Sequence, residues 1–150
     1  MSDLHIDEFF ADAARVIATL YGVFPRPVTL YVEDICGPDE PDEYGVHSPR
    51  HLACLAAMQW LGTEGYLNFS ETIRTEAIDQ AVLTGRCFSH LIRPQPTDAN
   101  KIDATLPASV RTSQTTTIFA IEQAIKARST NQLTAAFKTL LFAMSASQGR

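Results

Sequence analysis

Between Ser48 and Phe69 the chain reads SPRHLACLAAMQWLGTEGYLNF, and its apolar spacing changes from helical to alternating across Gly62 and Gly65. Such a change of period specifies two consecutive elements and the turn that joins them. Ser48 has the character of an N-cap, with Pro49 at the first helical position, where a missing N–H costs nothing. The helix is expected to run to Leu61 or Gly62, with Gly62 or Gly65 available for a left-handed stop. Tyr66 to Phe69 then sets Leu67 and Phe69 on one face of a strand.

The flanking segments extend this pattern. HIDEFFADAARVIATLYGVF places Phe9, Ala13, Val16, Ile17 and Leu20 at helical spacing, with Asp7, Glu8, Asp12 and Arg15 on the other side. That helix should stop near Gly22, ahead of Pro25 and Pro27. VTLYVEDICG reads either as a short strand or as a short helix. Pro38 to Gly45 is a turn-rich acidic loop. SETIRTE reads as a tip between strands, AIDQAVL as the returning strand, and Thr84 as the cap of a short helix, GRCFSHLI.

The order of these elements, with Trp60-Leu61-Gly62-Thr63-Glu64-Gly65-Tyr66-Leu67 and Val82-Leu83-Thr84-Gly85 followed by Leu91, resembles the winged-helix superfamily of bacterial regulators. Many members end the wing in Leu-Thr, two residues and Gly, whereas Gly85 here follows Thr84 directly. The resemblance covers roughly Ile6 to Ile92. It implies a winged helix–turn–helix domain over residues 1–93, with the helix from Ser48 as its recognition helix and Arg74 in the wing.

Residues 94–114 carry three prolines among Ser, Thr and Asn, as a linker does. Two helical patterns follow within residues 115–150. One holds Ile118, Ile121 and Ile125; the other holds Leu133, Phe137, Leu140, Leu141 and Met144. Ser129 and Gln132 have capping-box spacing, and the short connection suits an antiparallel hairpin. The expected architecture is therefore α+β, mainly helical, with a winged helix followed by a C-terminal helical hairpin. The stripe from Leu133 to Met144 is too apolar to face water, and the expected cover is a second copy of the chain, a homodimer.

Charge bears on what the recognition helix meets. Up to Arg93, six arginines stand against fourteen Asp or Glu, a balance of −8 within a net charge of −5. A polyanion is repelled by such a field, and a specific duplex complex needs several phosphate contacts. A groove-reading helix presents Arg, Lys, Asn or Gln. This one offers Arg50, His51 and Gln59, after His47, with Ala53, Cys54, Ala57 and Met58 on its expected outer face. The candidate contacts are His47, Arg50, His51, Cys54, Ala57 and Arg74. They suit a regulatory or adaptor module with a protein partner, and, as the alternative, a transcriptional regulator bound to duplex DNA.

Cys36, His47, His51 and Cys54 have the spacing C-x10-H-x3-H-x2-C, and Cys87 with His90 has C-x2-H. Neither contains the tight C-x2-C knuckle of a zinc site, so the cysteines read as small buried hydrophobes and the histidines as polar surface groups. No metal and no cofactor is expected. Motifs for acyl transfer, phosphate cradling or zinc-dependent hydrolysis do not occur, so no catalytic role is expected either. An acidic start, MSDLHIDEFF, three unevenly spaced cysteines and no long apolar run suit a cytoplasmic protein away from the membrane.

Overall fold

The computed structural model describes residues 4–95 and 105–148. The order is α1 (Leu4–Val23), β1 (Val28–Tyr31), α2 (Val32–Cys36), α3 (Pro49–Thr63), β2 (Leu67–Asn68), β3 (Glu71–Ile73), β4 (Ala77–Leu83) and α4 (Gly85–Ile92). Then follow α5 (Ala108–Ser113), α6 (Thr117–Ala127) and α7 (Thr130–Gln148). The fold is α+β and mainly helical, as expected from the sequence. The ambiguous VTLYVEDICG is both things in succession, a strand and then a single short helix. The segment expected to be a linker contains α5, and Pro94 forms a bridge with Thr116; residues 96–104 lie outside the described residues.

Local chemistry accounts for the boundaries. The Ser48 hydroxyl accepts the His51 amide at 3.2 Å, and Pro49 opens α3. Gly65, at φ 84°, supplies the left-handed turn that leads from α3 into β2. Thr84 caps α4 by accepting from the Cys87 amide at 3.1 Å, and its hydroxyl donates to the Gly65 carbonyl at 2.8 Å. One threonine thereby ties the end of α3 to the start of α4. Ser129 accepts from the Gln132 amide at 3.1 Å and starts α7.

Strand β4 is the centre of a small antiparallel sheet. Its first half lies between β1 and β3, and its second half pairs with β2 through Leu67–Leu83 and Asn68–Val82. Between the pairs Val28–Ala81 and Leu30–Ile78, β4 carries one residue more than β1. Gln80, at φ 56°, absorbs that extra residue in a bulge.

Among the described residues one apolar core joins the two halves of the chain. Ala13, Ala14, Val16, Ile17 and Leu20 of α1 are buried between α3 and the sheet on one side and α6 and α7 on the other. The structure corrects two expectations here. The half expected to form a winged helix does not enclose a core separate from the hairpin. The stripe Leu133, Phe137, Leu140 and Met144 is buried against its own chain, with Leu141 half-buried, so these residues form no free dimer surface. Phe137 lies within aromatic contact of Phe9, Phe10 and Tyr66. The α1 face supplies the cover that the sequence reading assigned to a second copy. Phe142, 64% exposed, is the large apolar residue of α7 that stays outside. No described helix is long and apolar enough to cross a membrane.

Candidate functional site

Helix α3 and the loop before it gather most of the candidate contacts, though not on the expected surface. His51, Cys54 and Ala57 are buried at 1%, 0% and 3% exposure, and His47 is buried as well. The reason is that α3 is packed between α1 and α2 on one side and β2 and β4 on the other, so its inward face is wider than one stripe. Its solvent face consists of Pro49, Leu52, Ala53, Ala56 and Thr63. Gln59 donates across to the Thr72 hydroxyl at 3.3 Å.

Arg50 is engaged inside the protein. Two of its guanidinium nitrogens donate to the Asp12 carboxylate at 2.6 and 2.7 Å, and the third is 2.6 Å from Glu8. Asp12 is itself buried in α1, and its bidentate pairing, with desolvation working against it, raises the arginine further above its ordinary value. Arg74 stands apart, exposed on the β3–β4 turn at φ 51°. The six candidates therefore do not form one surface.

The acidic loop is folded on its own carboxylates. Asp42 accepts from the amides of Tyr44 and Val46 at 2.8 and 3.0 Å, and Glu33 accepts from the Asp39 amide at 3.2 Å. Asp39 points inward, taking the Ser48 hydroxyl at 2.5 Å on one oxygen and the Ser48 amide at 3.0 Å on the other. Those two Ser48 contacts, followed by His47, hold the Asp39 carboxyl down to about 2.

Two histidines complete the cluster. His47 Nδ1 lies 2.8 Å from Asp39 Oδ2, and its Nε2 lies 2.5 Å from Glu76 Oε1. Hydrogen bonding to Asp39 first and Glu76 second raises the His47 pKa and favours its imidazolium form. The His51 ring is stacked on His47 with centroids 3.8 Å apart and planes 7° apart. His51 Nε2 donates to the Thr75 carbonyl at 2.6 Å, while its Nδ1 is buried with no hydrogen-bond partner. Asp39, His47 and His51 each place one potential metal-ligating atom within 4.8 Å of the others. Comparison of the chain with protein-family models, curated proteins and solved structures finds no match.

The histidines at 47, 51 and 90 thus depart from the surface role expected of them, and two of the three cysteines keep the buried one. Cys54 and Cys87 are fully buried and Cys36 is half-buried. Burial pushes the Cys54 thiol up and carries Cys87 up to about 12. His90 is buried too, and desolvation lowers its pKa, helped by Arg93 and Arg86. Sequence reasoning missed Asp39 and Glu76 as partners of the histidines. The available signal was the pairing of His47 with the N-cap Ser48, which anchors the acidic loop at the start of α3.

Proposed function

We propose that this chain is a non-catalytic regulatory or adaptor module of winged-helix type, working through contact with another protein. The observation that carries the reading is the solvent face of α3, where Pro49, Leu52, Ala53, Ala56 and Thr63 bring no positive charge. The arginine of that helix is already bound to Asp12 and Glu8. Exposed Tyr44 and Val46 on the preceding loop add apolar surface close in sequence to this face. A phosphate backbone needs several cations, whereas a small, weakly polar face suits a protein partner. The same reading places the protein in the cytoplasm, and any self-association has to use a surface other than the buried stripe of α7.

Two measurements test it together. Random duplex DNA is titrated into the full chain at several salt concentrations, and proteins that co-purify with it are compared with those held by a Leu52→Glu, Ala56→Glu variant. The expected result is feeble DNA binding and a protein lost from the variant. Tight DNA binding with a steep salt slope, weakened by Arg74→Ala, would instead establish the nucleic-acid regulator.

A further inference from the structure

The two stacked histidines are oriented alike. Each turns its Nε2 to an oxygen at the β3–β4 turn, His47 to Glu76 and His51 to the Thr75 carbonyl. Each therefore has its Nδ1 near the same oxygen of Asp39, at 2.8 Å from His47 and 4.0 Å from His51. Metal-ligating histidines are held in this way, one nitrogen on the ion and the other donating to a carboxylate or a backbone carbonyl.

His51 is the informative member. A carbonyl only accepts, so the Nε2 that meets Thr75 carries the proton, and in its neutral form the ring presents a bare lone pair at Nδ1. That atom is buried in a residue 1% exposed and receives no hydrogen bond. Asp39, at 4.0 Å, is too far to bond to it directly. A buried lone pair aimed at a carboxylate, with another imidazole beside it, lacks an electrophile.

We propose that Asp39 Oδ2, His47 Nδ1 and His51 Nδ1 bind one divalent transition-metal ion of the zinc class, with water as the fourth ligand. Zinc bonds to nitrogen and oxygen are about 2.0–2.2 Å long, which at tetrahedral angles sets ligand atoms roughly 3.3–3.6 Å apart. The separations of 2.8 and 4.0 Å fall on either side of that spacing. On binding, the ion replaces the proton between His47 and Asp39, which is released to solvent, and the near-parallel rings tilt so that both lone pairs meet it. Two imidazoles with one carboxylate select a borderline ion over calcium or magnesium, which prefer all-oxygen shells. The sequence pattern C-x10-H-x3-H-x2-C contains both histidines, but the third protein ligand is Asp39 of the acidic loop and not a cysteine.

The test uses the full chain, freed of metal by a chelator and kept reduced. Zn2+ is titrated calorimetrically, and Co2+ is followed by its visible absorption. The expected result is one ion per chain, the intense bands of four-coordinate Co2+, and a melting temperature raised by Zn2+. Asp39→Asn and His47→Gln, each checked for folding by circular dichroism, should lose stoichiometric binding and the thermal shift. Glu76→Gln, which leaves all three ligands in place, should weaken binding by about 10–100-fold. A wild-type chain that takes up neither ion overturns the proposal, as does binding unchanged in both Asp39→Asn and His47→Gln.

Discussion

Replacing Phe137 by alanine asks whether the C-terminal helix belongs to the same core as the rest of the chain. Its side chain is fully buried, with ring centroids 6.1 Å from Phe9, 5.9 Å from Phe10 and 5.8 Å from Tyr66. Removing a buried phenyl ring costs about 3–5 kcal/mol, and three aromatic neighbours place this site toward the upper end. For a chain of this length, 4 kcal/mol corresponds to a fall in melting temperature of about 8–16 °C. Trp60 reports from the other half of the protein, its ring 5.2 Å from Phe9 and 5.7 Å from Tyr66. Urea unfolding is therefore followed by Trp60 fluorescence and by far-ultraviolet circular dichroism on the same samples. A shared core requires coincident transitions, displaced together in Phe137→Ala. A loss below about 1 kcal/mol would refute the reasoning. So would a fluorescence transition that stays in place while part of the helical signal melts early.

Other expectations follow from particular contacts. Gly62→Ala should destabilise by about 1–3 kcal/mol despite the better helix propensity of alanine, because its Cβ would fall 2.6 Å from the Phe69 ring. Gly85→Ala, with open space around it, should leave stability unchanged or raise it slightly, and paired urea midpoints check both signs. In metal-free protein the Asp39–His47 pair should contribute most between about pH 4 and pH 6.5. The raised His47 pKa makes its share present below the ordinary histidine value and lost as pH rises through the folded one. Asp39, held down to about 2, contributes above the ordinary carboxylate value, and its share is lost as pH falls toward about 2. A profile of urea midpoints against pH should show this maximum in wild type and lose it in Asp39→Asn. Iodoacetamide at neutral pH should modify Cys36 in the folded chain and reach Cys54 and Cys87 only after denaturation, as mass spectrometry of the intact protein would show.

The parts of this fold that were legible in the sequence are those decided locally. Ser48 with Pro49, Thr84 and Ser129 mark helix starts through hydrogen bonds within one turn, and the spacing of neighbours suffices to find them. The periods of α1 and α7 were legible for the same reason. What covers an apolar stripe is a different question, because Leu133, Phe137 and Leu140 demand burial without naming the surface that provides it. The α3 face misled because apolar and small residues occur nearly all round that helix, so no one side stands out. Leu52, Ala53 and Ala56 look much like Cys54, Ala57 and Met58 in sequence, yet the first three are exposed and the last three buried. The Asp39–His47–His51–Glu76 cluster was hidden by distance along the chain. Glu76 reaches His47 only because β3 and β4 turn back beside the start of α3.

That α7 fills the space beside α1 also governs when the protein can finish folding as it is made. Helix α1 leaves the ribosome well before α7, with Phe9 and Phe10 lacking their aromatic partner until Phe137 has followed. At about 5–20 residues per second, the stretch from residue 93 to residue 144 takes several seconds to synthesise. During that interval the nascent front half carries an open apolar groove on α1, the kind of surface that chaperones hold and that neighbouring nascent chains aggregate through. Its lifetime is set by translation speed across residues 94–144, so slow codons in that stretch would prolong the exposure and lower the yield of folded protein without changing a single amino acid.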